Sequence, residues 1–311
     1  MMSLHINGEI INLNNISNPS YLRGNKAANL YKISQQGFNI PHTYFINFFS
    51  IDKIIPELTG SDSSTDINRL EKIIACGIDT LLISNIIDVL KQFKNDAPYI
   101  SAILRSSAHI EDCKDMSFAG IYKSEFISCD IEINELRHIL AKLLCAPLHS
   151  SAKEYLSKMK TSNKDKDIFD ISLILQNVIN GSPSGVMFTQ NPISNDNNII
   201  IESTLGLNTT VTSGKITPDY YEINRKNGYI VKKEIGHKKI MAKIVDGKLC
   251  EENTPENYQL NYSLSQYHIN ELLKNAIKLE DLFGDVQDIE WIFDNDKLYI
   301  LQSRPIVKKA G

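Results

Sequence analysis

The apolar positions of this chain keep two rhythms. Where they recur every three or four residues they predict helices: a short one within 24–37 closed by Gly37, helical periodicity across 63–95 behind the polar loop SDSST (61–65), and another across 132–159 interrupted near Pro147. A capped helix of about five turns is predicted over 263–284, with Gly284 at its end. Where short apolar runs are bounded by turn residues they predict strands: TYFI (43–46), YISAILRSSA (99–108), DISLILQNVI (170–179), the run after the GSPS turn at 181–184, and NIIIESTLGL (198–207). Asn7-Gly8 between the apolar halves of LHINGEIINL (4–13) predicts a tight hairpin, and Lys226-Asn227-Gly228 predicts a second.

The last two runs, DIEWIF (288–293) and KLYILQSR (297–304), flank Asp294-Asn295-Asp296 and predict a third hairpin. Here the apolar rhythm is interrupted. Asp288 and Glu290 share one strand face, and Gln302 and Arg304 share one face of the next. If Glu290 lies opposite Gln302, Asp288 lies opposite Arg304 and all four converge; a slip of one residue sends the pairs to opposite faces. Converged, Glu290 and Gln302 offer the hard oxygens that Mg²⁺ prefers, and Arg304 a fork for phosphate. The same residues also read as the polar face of an edge hairpin, with an ion pair contributing a few tenths of a kcal/mol, roughly.

Composition narrows the class. A chain of 311 residues can bury an ample core in one large domain or two moderate ones. A formal net charge of −4 argues against a general nucleic-acid footprint, so phosphate binding must come from local placement. The five cysteines, at 76, 113, 129, 145 and 250, form no CxxC pair, which reads as reduced thiols in a cytoplasmic protein without a zinc site. The stretch MMSLHINGEIINL lacks the charged-then-apolar pattern expected of a signal sequence, and no apolar run approaches the length of a membrane span. Helices in the first half and strands in the second predict an α+β, or mixed α/β, fold. A parallel doubly wound sheet is disfavoured: helices and strands do not alternate regularly, and neither GxGxxG nor GxxxxGK[ST] occurs. No nucleophilic triad announces itself.

Four blocks, in order and spanning 24–306, resemble one family: the N-terminal ATP-binding domain of phosphoenolpyruvate synthase, pyruvate phosphate dikinase and rifampin phosphotransferase. They are GNKAANLYKISQQGFNIPHTYFI; LRSSAHIEDCKDMSFAGIYKSEF; SGVMFTQNPISNDNNIIIESTLGL with SGKITPDYY; and QDIEWIFDNDKLYILQSRP. The resemblance implies an ATP-grasp-like fold whose two lobes, about 1–170 and 171–311, enclose a nucleotide cleft. It implies that Lys26, Arg105 and Arg304 contact phosphates, that Ser117 to Gly120 belong to a mobile loop over them, and that the Ser124 hydroxyl assists. It further assigns Gln176 to the adenine-lining strand, Glu290 and Gln302 to Mg²⁺, and Asp288 with Arg304 to the reacting phosphates. Taken alone, Lys26 reads as a solvated helix residue, Arg105 as the partner of Glu111 or Asp112, and Gln176 as a half-exposed edge-strand glutamine.

The chain departs from the family pattern at Asn25 and Ala27, where the family has glycines, and at His109, where it usually has threonine. The family's Gly-Leu-Gly-Glu is Gly206-Leu207-Asn208-Thr209 here, which puts acceptor or docking details in doubt. None of the seven histidines lies in the family's Thr-Ser-His phosphohistidine motif. The leading expectation is an Mg²⁺-dependent module that cleaves ATP to AMP and phosphate, passing the β-phosphoryl to a histidine on another domain or chain. Pyruvate, an antibiotic hydroxyl and a glutamine amide are acceptors in the family. The rivals are a direct small-molecule kinase giving ADP, and a nucleotide-binding module without catalysis, whose support is the altered GLNT loop.

Overall fold

The computed structural model describes residues 4–19, 22–59, 66–95, 101–108, 124–148 and 170–306. They form two compact units, residues 1–28 with 42–178 and residues 29–41 with 179–311.

In the first unit five antiparallel strands run in the order β1 (Gly8–Asn12), β2 (Thr43–Phe48), β5 (Ile171–Asn177), β3 (Ser101–Ala108), β4 (Ser124–Ser128). One face is apolar: Ile46, Phe48, Ala102, Leu104, Leu173 and Leu175 join a core with helices α2 (Ile51–Thr59), α3 (Ile67–Gly77), α4 (Thr80–Asn95) and α5 (Ile133–Leu144). Side chains alternate along strands, so Thr43, Ile103, Arg105, Ser107, Ser172 and Gln176 lie on the other face. The helix α2 has no counterpart in the sequence reading, because Pro56 sits inside it; Ile51 and Ile55, four apart, are its buried residues.

The periodicity expected across 63–95 breaks at Ile78 and Asp79. There Ile6 N donates to Gly77 O at 2.7 Å, and Asp79 N donates to Ile6 O at 3.0 Å. This contact overturns the hairpin expected at Asn7-Gly8. Residues 8–12 pair with β2 instead, and Gly8 serves close approach, since a Cβ there would lie 2.4 Å from Asn47 O. A long-range pairing outcompeted local turn chemistry.

The second unit holds a six-stranded antiparallel sheet in the order β13 (Lys297–Pro305), β12 (Gln287–Asp294), β6 (Ser184–Phe188), β7 (Ile199–Thr204), β8 (Asp219–Ile223), β9 (Ile230–Glu234). Its apolar face, with Met187, Ile201, Tyr221, Ile289, Trp291 and Phe293, packs on Ile269, Leu272, Ala276 and Leu279 of helix α8 (Gln266–Phe283). Two short helices, α6 (Thr209–Thr212) and α7 (Glu256–Gln259), precede α8. A further hairpin, β10 (Ile240–Val245) with β11 (Lys248–Asn253), turns at Asp246-Gly247, both at positive φ. That dipeptide is a turn signal the sequence reading passed over. All ladders between these strands are antiparallel, so the fold is α+β, with strands in both halves of the chain.

Among the described residues no helix is long and apolar enough to cross a membrane. Cys76, Cys129, Cys145 and Cys250 are free thiols; burial pushes Cys129 up to about 11 and Cys145 up to about 12. Both are therefore poor nucleophiles at neutral pH.

Candidate active site

The hairpin β12–β13 is built around a two-residue turn, Asn295-Asp296, with Asp294 opposite Lys297 and Trp291 opposite Ile300. An unbroken ladder would then set Glu290 against Leu301 and Asp288 against Ser303. Instead the register shifts between Glu290 and Trp291, stepping over Leu301, so that Glu290 faces Gln302 and Asp288 faces Arg304. The bulge restores Gln302 and Arg304 to the face of Glu290 and Asp288, while Ile289, Trp291 and Phe293 point into the core. The four polar residues therefore converge on the sheet face opposite α8.

Arg304 Nε and Nη2 each lie 2.8 Å from Asp288 Oδ2, so the carboxylate aims the guanidinium. From the opposite face, Ser303 Oγ donates to Gln287 Oε1 at 2.8 Å, and Gln287 Nε2 donates to the carbonyls of Asp285 and Val286. Gln287 and Ser303 are both buried and satisfied, which fixes β13 from behind. Asn29 Nδ2, in α1 (Asn25–Gln35), donates to Ser303 O at 2.9 Å.

Two residues on this face escaped the sequence reading. Glu202 lies in the same cross-strand row as Glu290, through Val186. Burial, and then the charge of Asp288, raise its carboxyl above the ordinary range. Its signal was in plain view: an acid inside IIIEST interrupts a strand just as Glu290 does. Asn208, directly before α6, is buried and donates from Nδ2 to Glu290 Oε2 at 3.2 Å.

In the first unit, the start of α1 docks on the polar sheet face. Gly24 has φ +83, and a Cβ there would lie 2.4 Å from Ser107 Oγ. Ser107 Oγ donates to Arg23 O and accepts from Ala27 N at 3.1 Å. The Ala27 N–H, in the first turn of α1 beside Lys26, is thus taken by Ser107. Asn25 is ordinary helix, with the unusual backbone angle falling on Gly24.

Arg105 falls inside the strand predicted over 99–108. It lies within β3, half-buried, directly opposite Ser124 on β4, so these two residues do come together. Gln176 is neither half-exposed nor on an edge. It is 2% exposed on the central strand β5, and its Nε2 donates to Thr43 Oγ1 at 2.9 Å. Ser117, Gly120, His109, Glu111 and Asp112 lie outside the described residues.

Among the described residues no cluster of three or more His, Cys, Asp or Glu side chains is arranged to hold a metal alone. Glu290 and Gln302 supply one carboxylate and one amide oxygen from directly opposed strand positions. That set fits Mg²⁺, which takes one or two protein oxygens and fills its octahedron with phosphates and water.

The family model described as pyruvate phosphate dikinase, AMP/ATP-binding domain, matches residues 21–310. A probable phosphoenolpyruvate synthase of Methanothermobacter thermautotrophicus is 27% identical over 92% of this chain and 44% of its own length. One from Pyrococcus horikoshii is 34% identical over 80% of this chain and 32% of its own length. The chain thus spans less than half of these relatives. A D-alanine–D-alanine ligase from Bacillus anthracis superimposes with a TM-score of 0.37 at 7% identity, over 90% of this chain and 56% of the ligase.

Proposed function

Because this chain belongs to the pyruvate phosphate dikinase AMP/ATP-binding domain family, we propose that it binds Mg²⁺-ATP and transfers a phosphoryl group by dikinase chemistry. The β-phosphoryl of ATP passes to a histidine carried on another domain or chain and then to a small-molecule acceptor, the γ-phosphoryl is transferred to water and released as phosphate, and AMP is left. The observation that carries this reading is the bulged register that sets Glu290 beside Gln302 and Asp288 beside Arg304.

Phosphoryl transfer asks little covalent chemistry of a protein and much positioning and charge. Glu290 and Gln302 hold the metal, which when bound offsets phosphate charge. Asp288 orients the Arg304 guanidinium toward the phosphates. Glu202, on the same face, adds a carboxyl that burial, and then the charge of Asp288, make easier to protonate than an ordinary glutamate. Lys26, Arg105 and Ser124 are the first unit's phosphate-binding residues, and Gln176 supports the strand assigned to adenine through its bond to Thr43.

A ³¹P NMR time course of Mg²⁺-ATP tests the reading, first with the chain alone and then with an extract supplying acceptors. AMP with phosphate is expected; ADP with a new phosphorylated species would instead identify a direct kinase. In the same assay Arg304→Ala is expected to lower turnover by about 10²–10³ while nucleotide still binds. Full turnover in that variant would remove Arg304 from the chemistry. No turnover and no calorimetric ATP binding by the native chain would overturn the reading itself.

A further inference from the structure

Asn208 stands in the GLNT loop, the segment set above against the family's Gly-Leu-Gly-Glu pattern. Its backbone, at φ −66° and ψ −3°, is right-handed, so nothing at this position requires glycine. The glycine requirement falls two residues earlier. Gly206 has φ +72, and a Cβ there would lie 2.2 Å from Ala242 O. Leu207 N donates to the same carbonyl at 2.7 Å, which anchors the loop to β10 just ahead of Asn208. An asparagine immediately before a helix ordinarily accepts a bond from the first turn, and this one makes no such cap. Its side chain, 8% exposed, instead reaches across 82 residues of sequence to Glu290. A carboxylate only accepts, so the amide N–H is the group that meets it.

We propose that Asn208 is a positioning residue for the metal: its Nδ2 holds Glu290 Oε2 and thereby sets the orientation in which the carboxylate meets a divalent cation. The inference rests on the assignment of Glu290 to Mg²⁺ made above. Outer partners of this kind fix a ligand's rotation, and their loss typically weakens metal binding about ten- to a hundredfold. The GLNT loop is then a support for the metal–phosphate face and no sign of a degenerate one.

The test is Mn²⁺ binding, followed by electron paramagnetic resonance on the chain with a non-hydrolysable ATP analogue, so that no turnover is needed. Asn208→Gly, which the local backbone admits, and the isosteric Asn208→Asp are compared with the native chain, alone and combined with Glu290→Gln. The expected result is at least about tenfold weaker Mn²⁺ binding by Asn208→Gly, with Asn208→Asp weakened less because its added charge attracts the cation. Asn208→Gly should not matter further once Glu290→Gln is present, because a positioning effect acts through that carboxylate. Unchanged Mn²⁺ affinity, or an equal loss in both backgrounds, would overturn the assignment; the latter would mark Asn208 as packing for α6. A native chain that binds analogue but no Mn²⁺ would overturn the Mg²⁺ assignment of Glu290, and this inference with it.

Discussion

Asp219 is wholly buried and accepts from four donors: Lys238 Nζ, Gly236 N at 2.9 Å, and Ser263 N and Oγ at 2.7 Å each. Lys238 is equally buried, and the pair ties β8 to the segments at 236–238 and 263. Removing one partner leaves an uncompensated charge in the interior, so Lys238→Met is expected to cost about 3–5 kcal/mol in urea unfolding. Adding Asp219→Asn should recover part of that loss; a Lys238→Met variant as stable as the native chain would show that the pair is dispensable. At this scale the sequence showed its chemistry as exceptions to pattern. Asp288, Glu290 and Arg304 were legible as charges inside strands, and Glu202 was equally legible though overlooked. Asn208 was not legible, because its significance is a contact made 82 residues away.

Helix α8 shows how far an element can be read from its own residues. Its run of apolar positions and Gly284 after it were read from the sequence, while the structure begins it later than 263, with Ser265 as its N-terminal cap. Ser265 Oγ accepts from His268 N, while His268 Nδ1 accepts from Ser265 N at 3.2 Å, a reciprocal box that requires Nδ1 to be unprotonated. Burial against Phe293, whose ring centroid lies 4.5 Å away, pushes the imidazole below its ordinary 6.5, with Asp296 opposing. The unfolded chain then binds the proton more readily than the folded one. This contribution to stability is complete above about pH 6.5 and is lost as pH falls below it. His268→Gln keeps an acceptor at the same place and should flatten the thermal midpoint between pH 7.5 and 5, relative to the native chain. An unchanged pH slope would count against the box. At the other end, Gly284 has φ +65 and no atom within 4 Å of where a Cβ would stand, so the cost of a side chain is purely conformational. Gly284→Ala should lose about 1–2 kcal/mol in denaturant titration and Gly284→Asn less, an order that steric crowding would reverse.

Over the whole molecule, charge sets the terms of binding. A chain of net charge −4 has no general attraction for a polyphosphate, so the proposed binding of Mg²⁺-ATP would rest on the metal and on a few placed cations. Mg²⁺-ATP at about a hundred times its dissociation constant should add about 2.7 kcal/mol to stability, visible as a raised thermal midpoint. ATP with a chelator should add clearly less. Equal shifts with and without Mg²⁺ would show that the metal takes no part in holding the nucleotide. The α+β class was legible at this scale from element types and from missing motifs. The strand order was not, because β5, though it lies far along the sequence, sits between β2 and β3.

Features that depend on neighbours within a few residues were already settled in the sequence: the helices α4 and α8, the strands β5 and β7, the turn of the last hairpin, and the presence of charges where strands should be apolar. Whether those charges meet was left to the folded sheet. Strand faces alternate with period two, and counting from the turn gives the wrong face for Gln302 and Arg304 until one residue is absorbed at Leu301. The same is true of Gly8, whose turn chemistry yielded to β2, and of Asn208, whose amide found Glu290 only once β7 and β12 lay in one sheet. Pairing between distant segments is set by the packing of the whole sheet, and no local pattern carries that information.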